Sequence, residues 1–333
     1  TVNNTALTDL AGNAGVGTTD SANYTVDTLL PTLSAVSIAS NNATTTLAKS
    51  GNTVTLTFTA TEALTADPVV TIYGETATID NSGAPTYTAT LVLSGDESEV
   101  GVAPFEIAFT DAAGNVGTAV TAVTDATSVT SDFTVPTVVI TDDATGTTNA
   151  AVTYTFTFSE AVENFIVGDV VVVNGTAAGT FATGSSGDSV YTLVVTPDAD
   201  TEGDMTVDVA ATVATDLSGN DNTIATQNVQ VIDTLAPTVG VVLTSSTLKA
   251  GESTTVTFTF SEAVTGFAAE DVTVGNGAIT EPVSADSGVT WTATYTPSAD
   301  TEAGTNVITV NNTALTDLAG NAGVGTTDSA NYT

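Results

Sequence analysis

Two stretches of this chain, Thr1 to Thr25 and Thr309 to Thr333, are identical residue for residue. Their kernel, Asp317-Leu318-Ala319-Gly320-Asn321, is echoed at Asp216-Leu217-Ser218-Gly219-Asn220 and Asp111-Ala112-Ala113-Gly114-Asn115. A second phrase recurs out of step with it: Asp27-Thr28-Leu29-Leu30-Pro31, Asp132-Phe133-Thr134-Val135-Pro136 and Asp233-Thr234-Leu235-Ala236-Pro237. Both phrases return roughly every 100 residues, and a fixed period is the signature of a repeat architecture. The echoes divide the chain into a partial unit over residues 1–26, then units over 27–131, 132–232 and 233–333. Residues 1–26 read as the last two strands of an incomplete unit, so any targeting segment would lie outside this stretch.

Inside each unit the apolar period is two. Val54, Leu56 and Phe58 alternate with Thr, as do Val152, Tyr154, Phe156 and Phe158, then Val256, Phe258 and Phe260. Val289, Trp291, Ala293 and Tyr295 repeat the pattern further on. One face of each run is therefore buried, and Thr, a good strand former, lines the other. About seven such runs per unit, parted by turn-rich gaps, predict an all-β fold: tandem immunoglobulin-like β-sandwich domains in an extended head-to-tail array. With no cysteine, packing alone must hold the two sheets together.

Composition removes whole classes of function. Two basic residues, Lys49 and Lys249, face 38 acidic ones, a formal net charge of −36. Such a polyanion has nothing with which to neutralise phosphates, so no nucleic acid or anionic membrane is expected as a partner. Disorder is the usual reading of an acidic chain; the 41% hydrophobic content, set in strand phase, argues against it. Without His or Cys the common nucleophile–base systems cannot be built, and no Lys-Ser/Thr phosphate loop is present. Carboxylate pairs could hydrolyse glycosides, but here they recur in each unit, which points to structure and not to an enzyme. A Lys–Asn cross-link is no general device, because the second unit has no lysine.

On a seven-strand sandwich, the loop between strands two and three and the loop between strands six and seven land at one pole. The linker from the preceding unit arrives there too. The first loop carries Ser261-Glu262-Ala263-Val264 and Asp271, with Ser159-Glu160-Ala161-Val162 and Asp169, and Thr61-Glu62-Ala63-Leu64 and Asp67, in the other units. Five residues should then converge at each junction: Asp233, Glu262, Asp271, Asp317 and Asn321. The equivalent sets are Asp132, Glu160, Asp169, Asp216, Asn220 and Asp27, Glu62, Asp67, Asp111, Asn115. Crowded carboxylates repel unless protonated or bridged by a cation, and an all-oxygen set suits Ca2+. A plainer reading has Gly-Asn closing a hairpin and Asp capping a turn. It accounts for Gly320 and Asn321 but not for the matched Glu and linker Asp. A further acidic loop (Asp198-Ala199-Asp200-Thr201-Glu202, Asp300-Thr301-Glu302, and Asp96-Glu97-Ser98-Glu99) falls at the opposite pole. It either lends ligands to the next junction or is a solvated turn.

With these linkers, Ser-Glu-Ala-Val loops and Asp-x-x-Gly-Asn loops, the chain resembles the bacterial immunoglobulin-like repeats in the extender regions of giant calcium-dependent adhesins of Gram-negative bacteria. The resemblance implies secretion to the cell surface, calcium at the junctions and a rod projecting a distant adhesive tip for surface or biofilm attachment. Thr61 in place of Ser and Asp67-Pro68 depart from the pattern, and Gly-Gly-rich calcium nonapeptides are absent. The partners expected are adjacent repeats of the same chain, without direct membrane insertion. A rival reading makes the units an extracellular filament, sheath or matrix protein that assembles with neighbouring copies; it requires apolar patches on outward faces, where Thr rows are expected. A carbohydrate-binding module would require an aromatic stripe out of core phase, and none is found.

Overall fold

A computed structural model describes residues 1–97 and 101–333. Ser98 and Glu99, from the first unit's further acidic loop, lie outside the described residues. Regular structure is β-strand, with short 3-10 turns of three residues. Among the described residues no helix is long and apolar enough to cross a membrane. The chain forms two compact units, Thr1–Phe133 and Thr134–Thr333.

The unit Thr134–Thr333 holds two sandwiches. In the first, strands one to seven are Val138–Asp142, Val152–Val162, Val170–Val173, Gly175–Ala177, Asp188–Pro197, Glu202–Val209 and Asn228–Asp233. Strands one, two, five and four form one antiparallel sheet in that order, and three, six and seven form the other. This is the arrangement of an immunoglobulin constant-type sandwich. The second sandwich repeats the order with Val239–Leu243, Thr254–Phe260, Val272–Val274, Gly277–Ile279, Thr290–Pro297, Ile308–Asn311 and Thr326–Asp328.

The unit Thr1–Phe133 carries one sandwich of the same kind. Leu33–Ser40, Thr53–Ala60, Thr86–Val92 and Thr78–Asp80 form its larger sheet, in that order. Phe105–Ala108, Val69–Ile72 and Glu75–Thr76 form the other. Ahead of it, Val2–Asn3 and Thr18–Thr19 pair as a small hairpin.

Alternation decides which side chains enter each core. Val54, Leu56 and Phe58 are fully buried, as are Tyr154 and Phe156, while the intervening threonines look outward. Three separate apolar clusters result, one per sandwich. Phe156, Phe158, Phe165, Phe181 and Tyr191 interlock in the second with ring centroids 5.0–6.2 Å apart. Each fully buried aromatic of this size contributes roughly 1.5–3 kcal/mol of transfer free energy, so three packed cores suffice without disulfides. Trp291 is partly buried against the third core and donates its indole N–H to Gly288 O at 2.9 Å.

One outward face departs from the threonine pattern. On the three-stranded sheet Val170–Val173, Glu202–Val209, Asn228–Asp233, the residues Val171, Val173, Val229 and Val231 are 47–55% exposed. Val173 lies opposite Thr206, which lies opposite Val229, while Val171 and Val231 lie opposite Asp208 and Asp204, so the exposed valines sit on the two outer strands with polar residues between them. Valine satisfies strand propensity on an exposed face as well as threonine does, so alternation alone does not separate the two cases.

Candidate metal centres

The Asp-x-x-Gly-Asn loop is a self-contained hydrogen-bonded ring. Asp111 Oδ1 accepts from the backbone N–H groups of Ala113, Gly114 and Asn115 at 2.9, 2.7 and 2.8 Å, and Asn115 Nδ2 donates to Oδ2 at 2.7 Å. Asp216 with Asn220, Asp317 with Asn321 and Asp9 with Asn13 repeat the ring. The glycine has φ between +84° and +98° in all four copies, a region closed to most side chains. Burial alone pushes the Asp111 carboxyl up, but its hydrogen bonds outweigh that and hold it below the usual range.

The Ser-Glu-Ala-Val loop is pinned in place by its serine. Ser261 Oγ accepts from Thr238 N, just past the linker proline, at 3.0 Å, and Ser261 N donates to Thr238 O at 2.9 Å. Ser159 does the same with Thr137. In the first sandwich Thr61 Oγ1 accepts from Thr32 N at 3.1 Å, so this departure from the motif keeps the chemistry. The pin places the following Glu beside the linker. The two loops then pair across the pole, Leu64 with Asp111, Glu163 with Thr215 and Val264 with Asp317.

At the linker, Asp27 Oδ1 accepts from Leu29 N and Asp233 Oδ1 from Leu235 N, both at 3.0 Å. The loop asparagines clamp the same segment. Asn321 Nδ2 donates to Asp233 O at 2.8 Å, and Asn115 Nδ2 to Asp27 O at 3.3 Å. As a result, one carboxylate oxygen from each of Asp233, Glu262 and Asp317 lies within 4.8 Å of the others, and likewise for Asp27, Glu62 and Asp111. Two oxygens bound to one calcium at ~2.4 Å are at most ~4.8 Å apart, so both triads fit such an ion. Glu160 and Asp216 meet the same criterion within their own sandwich. Asp132 belongs to the unit Thr1–Phe133, where its N–H donates to Ala48 O at 2.8 Å.

The remaining expected residues are placed otherwise. Asp169 Oδ2 accepts from Ile166 N and Asp271 Oδ2 from Ala268 N, both at 2.9 Å, closing the 3-10 turn that leads into the third strand. Asp67 accepts from Asn81 at 2.6 Å. Asp169 and Asp271 thus serve local turns, Asp67 a contact to a residue fourteen positions on, and none of the three belongs to the triads. The asparagines present their NH2 to the carboxylates, and the Asn321 carbonyl oxygen accepts from Asn149 Nδ2 at 3.0 Å. Asn149 lies between the first two strands of the neighbouring sandwich, in a loop with no recurring motif to mark it. Lys249 pairs with Glu252 at 3.1 Å on the surface.

Glu202, from the further acidic loop, lies directly opposite Asp233 on the adjacent antiparallel strand. With Asp233 and Glu262 it lines a cleft of about 460 Å³ between the two sandwiches of Thr134–Thr333. Burial, then Asp233, Asp317 and Glu202, push the Glu262 carboxyl up to about 7. Glu62 is raised in the same way, by burial and then by Asp27 and Asp111; its Oε1 is enclosed with no hydrogen-bond partner. Each triad thus holds a carboxylate in want of a positive charge.

Among solved structures, the titin I9–I11 tandem is 10% identical, covering 85% of this chain and 93% of that one, with a TM-score of 0.29. The D00–D0 domains of intimin are 17% identical, with coverage of 59% and 99% and a TM-score of 0.26. The Yersinia pseudotuberculosis adhesin InvE is 15% identical, with coverage of 78% and 74% and a TM-score of 0.25. TM-scores this low say nothing about function. No curated protein sequence matches the chain. The bacterial Ig-like domain model matches residues 132–232 and again 233–333, and on those two tandem matches the chain belongs to the bacterial Ig-like domain family.

Proposed function

We propose that this chain is a spacer segment of a secreted cell-surface adhesin, with calcium stiffening the joints between its sandwiches, and that it has no catalytic role. The observation that carries the reading is the triad of Asp233, Glu262 and Asp317. Asp233 ends a strand of one sandwich, whereas Glu262 and Asp317 belong to the next. A divalent cation there would supply the positive charge that these carboxylates lack, tying the linker to the pole it enters. Asp233, Glu262 and Asp317 would hold it, with Glu202 on the strand beside Asp233; Asp27, Glu62 and Asp111 would form a further site. Extracellular calcium modules bind at about 10⁻⁴–10⁻³ M, so chelators should loosen the joints.

The test is thermal unfolding and small-angle scattering of the full chain, with calcium and with excess chelator, alongside Asp233→Ala. Calcium should raise the melting temperature and extend the scattering profile, and Asp233→Ala should lose most of both gains at that joint without unfolding either neighbour. Profiles indifferent to calcium would reduce the acidic loops to solvated turns. The exposed valines Val171, Val173, Val229 and Val231 favour a second reading, lateral assembly into a filament or sheath. Sedimentation that stays monomeric at high protein concentration would count against it.

A further inference from the structure

We infer that the sandwich spanning residues 138–233 carries a cation site of a second kind, built within its own fold from Asp142, Asp143, Asn228 and Tyr154. Strand register brings these groups together. Asp142 ends the first strand in inward phase, after Val138 and Ile140, and lies directly opposite Tyr154. Tyr154 is fully buried, and its Oη has no hydrogen-bond partner among the described residues. Asn228, at the start of the seventh strand, donates Nδ2 to Asp142 Oδ2 at 2.9 Å and to Ile140 O at 3.4 Å. Its Oδ1 is enclosed and equally without a partner among the described residues. Asp143 is held at the same end of the strand pair by Thr153 N, which donates to its Oδ1 at 2.8 Å.

The sister sandwiches show that the fold itself does not require these polar groups. Tyr154 stands two residues ahead of Phe156; Leu56 and Val256 hold that place ahead of Phe58 and Phe258. Their cross-strand partners are Ile38 and Leu243, so apolar pairs fill the position twice. A polar atom enclosed without a partner costs about 1–3 kcal/mol, and this sandwich encloses two beside a half-buried carboxylate. Burial, then the charges of Asp142 and Asp143, push the Tyr154 hydroxyl up to about 12, so it stays neutral. It can turn its proton toward a carboxylate and leave a lone pair for a ligand, while Asn228 offers its carbonyl oxygen. Two carboxylates and two neutral oxygens, with no nitrogen or sulfur ligand, suit a hard cation such as calcium. A water would satisfy Tyr154 and Asn228 as well, but it would not answer the negative charge beside them.

The full chain is titrated with terbium in calcium-free buffer, and the emission excited through tyrosine is read, because a bound terbium ion takes up that energy only from a tyrosine close to it. Asp142→Asn and Tyr154→Phe should each lose the same saturable share of the emission, and excess calcium should displace that share from wild type. Tyr154→Phe puts an apolar side chain where Leu56 and Val256 already serve the sister sandwiches, so it should fold as wild type does. Equilibrium dialysis at saturating calcium should count one ion fewer per chain in Asp142→Asn. Asp233→Ala removes a ligand of a joint triad and should leave the Tyr154 share intact, so this site and the joint sites stand or fall separately. A calcium count unchanged in Asp142→Asn, or an emission unchanged in Tyr154→Phe, overturns the inference and leaves a water as the occupant.

Discussion

The acidic triads of Asp27–Glu62–Asp111 and Asp233–Glu262–Asp317 are built from the same three phrases and differ in how far they are enclosed. The loop aspartates match, Asp111 at 1% exposure and Asp317 at 3%. The linker aspartates do not: Asp233 is 7% exposed, while Asp27 lies open to solvent. Around Asp233 stand Glu202 from the adjacent strand and Asn149 on the carbonyl of Asn321. Glu62 and Glu262 are both raised, Glu262 to about 7. The loop frame is thus local chemistry, identical wherever the motif occurs. The electrostatic strain comes from what the neighbouring sandwich brings to it.

The sharpest way to break this comparison is to remove the shared frame. Asp111→Ala strands the N–H groups of Ala113, Gly114 and Asn115 with the Asn115 side chain, and Asp317→Ala the N–H and side chain of Asn321, at about 1–3 kcal/mol for each donor left without a partner. Both should lose roughly 2–4 kcal/mol, with or without calcium. Asp9→Ala removes the same ring from an exposed hairpin and should change stability by less than about 0.5 kcal/mol. Chemical denaturation of the three variants checks this; a large loss confined to calcium-loaded protein would show that the aspartates act only as ligands.

Glu262→Gln probes the strained member. In chelator above pH 7 it removes a buried charge facing Asp233, Asp317 and Glu202, and should stabilise Thr134–Thr333 by roughly 1–3 kcal/mol. In calcium the sign reverses, since a ligand is gone and the gain from binding, about 2.7 kcal/mol at a hundredfold excess over Kd, shrinks. Glu62→Gln should show the same two signs with smaller amplitudes. If Glu262→Gln destabilised the apo protein, the crowding at this triad would not be repulsive.

A pH titration in chelator sharpens the same point. The Glu262 carboxyl moves from its ordinary 4.5 to about 7 on folding. Between those values the folded state holds a proton that the unfolded state has released, so stability falls as pH rises and levels off above about 7. Calcium binding must displace that proton, so calcium affinity should weaken as pH drops below 7. Melting temperatures at pH 5.5 and 8, with and without Glu262→Gln, check both; a variant that keeps the wild-type slope would assign the titration to another group.

Much of this was legible in the sequence. Alternation of Val152, Tyr154, Phe156 and Phe158 with Thr marks a two-sided strand, and the echoing phrases bring Asp233, Glu262 and Asp317 to one pole. Asp67, Asp169 and Asp271 recur at the same loop as the glutamates, and recurrence alone cannot tell a ligand from a turn cap. That distinction is made by the 3-10 turn at Val167–Asp169, whose geometry returns the carboxylate to its own backbone. The motif marks the asparagines but not the end of the amide that faces the carboxylates, which the loop's own ring of hydrogen bonds sets in every copy. Glu202 meets Asp233 through strand register, which the shared phrases do not specify.

Asn149 gives a small expected effect and isolates the contact that crosses the joint. Its side chain is exposed and donates one hydrogen bond, to the Asn321 carbonyl oxygen. Asn149→Ala should therefore cost less than about 1 kcal/mol and leave the melting of both sandwiches nearly unchanged. Its influence should appear in the loop it steadies. With Asn149 gone, the Asn321 amide loses its anchor on the carbonyl side, and its hold on Asp233 O and Asp317 Oδ2 becomes intermittent. Hydrogen exchange of the Asn321 backbone N–H, which Asp317 Oδ1 accepts at 2.8 Å, should quicken in the variant, while that of Asn115, in the open triad, stays as in wild type. Equal acceleration at both loops would mean that the enclosed triad owes nothing to its neighbour's side chain, and its extra strain would then rest on Glu202 alone.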